Sequence, residues 1–213
     1  IADTISALVT DEGGSEDPEV SGSIFVGGVE LTGSKESPDY ATTNDSGAVT
    51  KITDGDFVPA ENNWNIQWDG ATLTLNNATI TQGALGGAAI WYYRGSDLNI
   101  DLVGTNTVTG PSGSGSGARY GIFAWDPNEL IDLTISGDGS LTVTGGGTVS
   151  ESYGICTDNL IVQSGTVNAT GEDGEEDSYG IYADNDLTIS GGAVNATGGD
   201  SEEDSYGISA YDV

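Results

Sequence analysis

The chain has 213 residues, of which 34 are acidic and 4 are basic, and it contains no His and no Met. The formal net charge of -30 repels phosphate backbones and anionic lipids, so we expect no nucleic-acid partner. The single cysteine, Cys156, rules out an internal disulfide framework, and no apolar run reaches the roughly 18 residues of a membrane span, so we expect no direct membrane insertion.

The first 70 residues divide into two parts. Residues 1–20 join a short apolar segment, IADTISALVT, to DEGGSEDPEV, which is typical of an acidic linker because it has no packing pattern. In residues 21–70 the runs SIFVGGVELTG, GAVTKI and NNWNIQWDG indicate short hairpin strands. A stacked-repeat fold needs a cap, so we interpret residues 21–70 as an N-terminal β cap with Trp64, Ile66 and Trp68 in its core.

Residues 71–213 contain repeats. Leu160 aligns with Leu187 at an unbroken 27-residue offset, and Leu98 aligns with Leu133 at an earlier 35-residue offset. Within each repeat the apolar residues alternate with Thr, Ser or Asn, as expected of strands that bury one face. Such short repeats must stack to bury that face, and strand crossovers are normally right-handed. The sequence therefore predicts an all-β fold, a right-handed parallel β-helix (β-solenoid) with an open C-terminal end.

Stacking would place equivalent residues of successive coils above one another, about 4.8 Å apart. The alignment predicts an amide ladder in which Asn168 lies above Asn195. It also predicts three interior columns. The first is Leu73, Leu98, Leu133, Leu160 and Leu187, the second is Leu75, Ile100, Ile135, Val162 and Ile189, and the third is Ile90, Ile122, Ile155, Ile181 and Ile208.

An acidic run occurs twice, as GEDGEEDSYGIYA at 171–183 and as GGDSEEDSYGISA at 198–210. Stacked unit charges at strand spacing repel by about 1 kcal/mol in water. Either the loops bulge into solvent, where salt screens the charge, or Ca²⁺ bridges the carboxylates with its 6 to 8 oxygen ligands. No cofactor is required in the first case. The candidate metal ligands pair as Asp173 with Asp200, Glu175 with Glu202, Glu176 with Glu203, and Asp177 with Asp204.

Aromatic residues form a second candidate site. If the third Ile column points inward, alternation sends five rings outward on adjacent coils: Trp91, Tyr93, Phe123, Trp125 and Tyr182. Flat rings suit stacking on sugars, so one hypothesis is a glycan platform. Cys156 lies in the same outward column and prefers burial. The alternative is therefore structural packing of these rings under a loop such as 111–119, or against a neighbouring molecule.

Catalysis is not expected. Without His, nucleophile systems of the Ser-His and Cys-His types are excluded. A pair of carboxylates could hydrolyse a glycosidic bond, but no acid in the sequence stands out by an apolar surrounding that would raise its pKa. Lyase chemistry would depend on Arg94, Arg119 or a lysine. We therefore predict no catalytic residue.

Four runs carry a resemblance to a known family: GATLTLNNATI, LNIDLVGTNTVTG, DLTISGDGSLTVTGG and SYGIYADNDLTISGGAVNATGG. Over roughly residues 21–213 the chain resembles the carbohydrate-binding-domain or adhesin-like β-helix surface proteins of gut bacteria. The resemblance implies export to the cell surface as part of a long surface protein. Some relatives of this kind bind acidic polysaccharides and calcium without cleaving them.

We therefore predict a non-catalytic, extracellular structural or adhesive β-helix surface protein. Self-association into end-to-end fibres, through the open coil end or through an N-terminal strand donated to a neighbour, is the expected assembly. The alternative is a carbohydrate-binding module with an aromatic glycan platform and Ca²⁺-stabilised acidic loops, which would have a polysaccharide as its partner. A polysaccharide lyase or hydrolase is the least favoured function.

Overall fold

The computed structural model describes residues 23–83, 87–93, 95–113, 117–147 and 150–213. The predicted apolar segment and linker of residues 1–20 lie outside these ranges. The described residues form strands, turns and bends with no helix, so the predicted all-β class is confirmed. None of them belongs to a helix long and apolar enough to cross a membrane.

The described residues contain 19 strands. Before the repeats lie β1 (Ile24–Val26), β2 (Val29–Leu31), β3 (Asp39–Thr43), β4 (Val49–Lys51) and β5 (Ile66–Trp68). The repeats contribute three series. Series A is β8 (Ala88–Tyr93), β11 (Arg119–Trp125), β14 (Ser152–Thr157), β17 (Ser178–Ile189) and β19 (Ser205–Asp212). Series B is β6 (Thr72–Asn76), β9 (Leu98–Val103), β12 (Asp132–Gly137), β15 (Asn159–Val162) and the C-terminal half of β17. Series C is β7 (Thr79–Ile80), β10 (Thr105–Thr109), β13 (Ser140–Thr144), β16 (Thr166–Thr170) and β18 (Ala193–Thr197).

Each series pairs in parallel from one strand to the next. Because β17 belongs to both series A and series B, these two series join into one 14-stranded sheet. The early strands extend that sheet antiparallel, through β1 on β8 and β5 on β6, so strand orientation is mixed and the sheet is nearly closed and barrel-like. Series C forms a separate five-stranded parallel sheet. The finer assignment to a right-handed parallel β-helix stays a prediction.

The predicted columns are in register from the second repeat onward, but the prediction that they are interior is wrong for their last members Ile189 and Ile208, which are exposed. The leucine column pairs directly from Leu98 to Leu187, through both the 35-residue and the 27-residue offsets. The isoleucine column of series A pairs from Ile90 to Ile208. Asn195 Nδ2 donates to Asn168 Oδ1 at 2.9 Å, which confirms the predicted amide ladder.

The first coil corrects the predicted register. Leu73 pairs with Ile100 and Leu75 pairs with Leu102, so the predicted pairing of Leu73 with Leu98 is wrong by two residues. A shift of two keeps every side chain on the same face of its strand, and the alternation of apolar and polar residues therefore could not reveal it.

The core lies between the three series. Ile122 of series A, Leu133 of series B and Val143 of series C are all fully buried. Near the start of the described chain Ile66 and Trp68 are fully buried too, as predicted for the cap. The third predicted cap residue, Trp64, is only half-buried, and its ring contacts Tyr40 with centroids 5.6 Å apart.

The glycine of each Tyr-Gly-Ile motif marks a close approach between series A and series C. A Cβ atom on Gly154 would lie 2.5 Å from the carbonyl oxygen of Gly180 and 3.0 Å from the backbone nitrogen and oxygen of Thr170 in β16. On Gly180 it would lie 2.6 Å from the backbone nitrogen of Thr197. Backbone atoms cannot move aside as a flexible side chain can, so only glycine fits here.

We expect Gly154→Ala to lower the free energy of unfolding by about 1–3 kcal/mol, the usual cost of forcing volume into a packed site. Gly55→Ala is the matched control, because a Cβ atom there meets nothing within 4 Å. Its effect should stay within about 0.5 kcal/mol. Denaturant unfolding followed by circular dichroism measures both, and wild-type stability of Gly154→Ala would contradict the close approach.

Candidate functional site

The predicted aromatic residues lie on the outer face of series A, and we call them the aromatic surface: Trp91, Tyr93, Phe123, Trp125 and Tyr182. The ring of Tyr93 stacks on Trp91 at 5.3 Å and on Trp125 at 6.1 Å between centroids. It also stacks on Phe123 at 6.4 Å. The fifth ring, Tyr182, is in the same column as Phe123 but two strands away from it, because Cys156 lies between them.

Trp91 departs from the prediction of five exposed rings. It is 6% exposed, because Phe25 of β1 lies over it with the two rings edge to face at 5.8 Å. The other four members of the aromatic surface are half-buried. The cover over Trp91 therefore comes from a strand at the start of the chain, and this long-range antiparallel pairing had no signal in the repeats.

A groove opens in the aromatic surface at Cys156. It has a volume of about 290 Å³, and its lining is mostly apolar. Cys156 is half-buried at the middle position of the column, where its neighbours on the adjacent coils are Phe123 and Tyr182. A cysteine side chain is much smaller than a ring, so the column has a recess at this coil. The lining residues are Phe123, Trp125, Cys156, Thr157, Tyr182 and Asp184.

Two carboxylates beside the groove were missed as site residues. Tyr182 Oη donates to Asp184 Oδ1 at 3.2 Å, at the exposed rim. Asp158 is only 2% exposed, and its Oδ2 accepts the backbone N–H of Ile131 at 3.0 Å. Burial raises the pKa of Asp158, while the hydrogen bonds from the backbone of Ile131 and Asp126 oppose that rise. The burial of Asp158 could not be predicted from residue spacing, because it depends on a contact with Ile131, which lies 27 residues earlier in the chain.

A tyrosine stack next to the aromatic surface was also missed. Tyr120, Tyr153, Tyr179 and Tyr206 stack in sequence, with ring centroids 5.1 to 5.8 Å apart. Burial raises the pKa of Tyr120, Tyr153 and Tyr179. The repeated Tyr-Gly-Ile motif was a sufficient signal, since in-register stacking of equivalent residues places each tyrosine on the previous one.

The acidic loops stack on each other as the strands do. The backbone N–H of Asp200 donates to Asp173 Oδ1 at 3.0 Å, and that of Asp204 donates to Asp177 Oδ1 at 3.1 Å. The backbone of Glu203 donates to the carbonyl oxygen of Glu176 at 3.1 Å. Two carboxylates of the first run thus serve as acceptors for the second run. All eight predicted acids remain at the surface, where seven are exposed and Asp177 is half-buried.

Serine hydroxyls fasten these loops to the strands that follow them. Ser178 Oγ is buried, donates to the carbonyl oxygen of Glu172 at 2.8 Å and accepts the N–H of Gly199 at 2.7 Å. The equivalent Ser205 is exposed, and its Oγ donates to the carbonyl oxygen of Gly199 at 2.7 Å. The duplicated Ser of SYGI is therefore a structural latch for the acidic run before it.

Metal binding has no direct support from the geometry. Among the described residues, no group of three or more His, Cys, Asp or Glu side chains is placed to hold a metal ion. Calcium at the eight predicted acids therefore stays a prediction.

Comparison of the chain with protein-family models, with curated proteins and with solved structures gave no match.

We expect Ser178→Ala to destabilise the protein by about 1–3 kcal/mol, because it removes a buried hydroxyl and leaves the N–H of Gly199 and the carbonyl group of Glu172 without their partner. Ser205→Ala is the matched control at the same motif position, and it should cost less than about 1 kcal/mol because the site is exposed. Urea unfolding gives the two values, and hydrogen exchange at the Gly199 amide should accelerate only in Ser178→Ala.

Calcium distinguishes this latch from a metal bridge. If hydrogen bonds hold the loops, millimolar calcium leaves the midpoint of thermal unfolding unchanged in wild type and in Ser178→Ala. A rise in the midpoint with calcium that disappears in the double variant Asp173→Asn with Asp177→Asn would instead identify the carboxylates as ligands.

Proposed function

We propose that this chain is a non-catalytic structural or adhesive part of an extracellular microbial surface protein, built as a right-handed parallel β-helix. The supporting observation is the in-register stacking of like residues over successive coils, in all three series. Right-handed crossovers are the rule for parallel strands of one sheet, which favours that hand here. The acidic composition supports a soluble surface exposed to salt.

The chemistry of the described carboxyl groups favours a non-catalytic role. The sequence has no His. The one described carboxyl with a pKa raised by burial is Asp158, and its carboxylate accepts the backbone N–H groups of Ile131 and Asp126. Asp158 thus holds the loop between them in place, and this structural role accounts for its burial.

End-to-end assembly is supported by the strand β19. Within the described part of the chain β19 pairs with β17 alone, and its residues Tyr206 and Ile208 are 46% and 39% exposed. An exposed strand edge with apolar side chains readily pairs with another chain. The proposed contact therefore joins this edge to a second molecule; the apolar N-terminal segment IADTISALVT, predicted as the other contact, lies outside the described residues.

Electron microscopy of the native, full-length protein tests the assembly. We expect fibres in wild type and none in Ile208→Asp, because a carboxylate on the edge opposes pairing. Val58→Asp is the control, since Val58 is 74% exposed in the loop between β4 and β5. Monodisperse wild-type particles, or equal fibre loss in both variants, would contradict the proposal.

Glycan binding is a second candidate function, and the groove at Cys156 favours it. Aromatic rings that keep one polar edge suit the apolar faces of sugars. Phe123, Trp125 and Tyr182 are half-buried and line the groove, while the exposed carboxylate of Asp184 provides a hydrogen-bonding group at the same place. This combination of apolar walls with a few polar groups is typical of small-ligand sites.

A polysaccharide array tests glycan binding. We expect wild-type protein to be retained on at least one glycan and Trp125→Ala to bind about tenfold more weakly, a loss of about 1.4 kcal/mol. Tyr211→Ala is the control, because Tyr211 is 91% exposed and lies on β19, outside the groove. Retention of Trp125→Ala at the wild-type level would contradict a role for the groove. Thermal melts of both variants check that they fold.

A further inference from the structure

The groove at Cys156 has walls two coils apart. Phe123 belongs to β11, Cys156 to β14 and Tyr182 to β17, and they are direct register partners. Since neighbouring strands lie about 4.8 Å apart, the backbone positions of the two ring-bearing residues are separated by about 9.6 Å. A ligand seated over Cys156 would therefore have a ring-bearing residue on the neighbouring strand at either side.

The size of the groove limits the ligand. Its volume of about 290 Å³ is just below the range of about 300–1,000 Å³ that is typical of small-molecule pockets. One or two sugar units fit such a space, with a saturated ring over Cys156 and ring systems on both sides.

The surroundings of the groove are negatively charged. Asp184 lines it, and none of the described residues that line it is basic. Burial raises the pKa of the Cys156 thiol, and the carboxylates of Asp158 and Asp184 raise it further, as expected where the potential is negative. A ligand with a positive charge is therefore favoured over an anionic one at this position.

We infer that the groove binds a sugar carrying a protonated amine, such as a glucosamine unit with a free amino group. The sugar ring lies between Phe123 and Tyr182 with Trp125 at its edge, and the ammonium group faces the carboxylate of Asp184. The inference rests on the proposed glycan binding and adds the class of sugar. Aromatic faces and a carboxylate both attract an ammonium group, whereas a uronic acid would be repelled.

The test is an NMR titration with three disaccharides at physiological salt: a glucosamine disaccharide, its N-acetylated form and digalacturonic acid. We expect the free-amine sugar to bind at least tenfold more tightly than the N-acetylated one, with no binding of the acidic one. Asp184→Asn should remove that difference, because the amide keeps the shape and the acceptor for Tyr182 Oη but loses the charge. Asp138→Asn, at an exposed carboxylate outside the groove, is the matched control and should behave as wild type.

The outcomes separate this inference from the function on which it rests. If the free-amine disaccharide and its N-acetylated form bind equally tightly, and Asp184→Asn does not change this, the inference is overturned while glycan binding remains in place. Equal weakening by Asp138→Asn and Asp184→Asn would also overturn it, since general charge attraction would then explain the preference. Failure of every sugar to bind would contradict both. Thermal melts of each variant confirm folding, and Asp184→Asn changes only an exposed residue.

Discussion

In-register parallel pairing is the constraint on which this molecule depends. From the second repeat onward, equivalent residues of successive repeats lie side by side about 4.8 Å apart, so each side-chain interaction of one repeat recurs in the next. Tyrosine stacks on tyrosine, and asparagine donates to asparagine at 2.9 Å. Apolar columns fill the space between the three series, while the glycine of each Tyr-Gly-Ile motif lets series A approach series C.

The same constraint places acid upon acid, which is unfavourable by itself. The chain tolerates it because the carboxylates are at the surface, where solvent and salt weaken the repulsion, and because Asp173 and Asp177 accept backbone N–H groups of the next loop. The buried hydroxyl of Ser178 connects two successive loops. The acidic run is thus compatible with a purely structural role.

The groove exists because one column is irregular. Where a third ring would continue the outer column of series A, Cys156 leaves a recess, and the neighbouring Asp158 turns inward to bind the backbone of Ile131. A perfect repeat would present a continuous aromatic column with no concave site. The concave site therefore arises where the repeat is broken, while the regular strands on either side hold the walls of the groove in place.

The sequence by itself determined the all-β class, the two repeat offsets, the amide ladder and the outward face of the aromatic residues, because all of these follow from period-two alternation and from repeated spacing. Only the tertiary structure decided the pairing of Leu73 with Ile100, the burial of Trp91 beneath Phe25 and the burial of Asp158. The alternation of apolar and polar residues cannot distinguish two registers that differ by two residues, and the repeat contains no information about contacts made by segments outside it. The columns were therefore predictable from local pattern, whereas the cover over the aromatic surface and the shape of the groove depend on contacts between residues far apart in the chain.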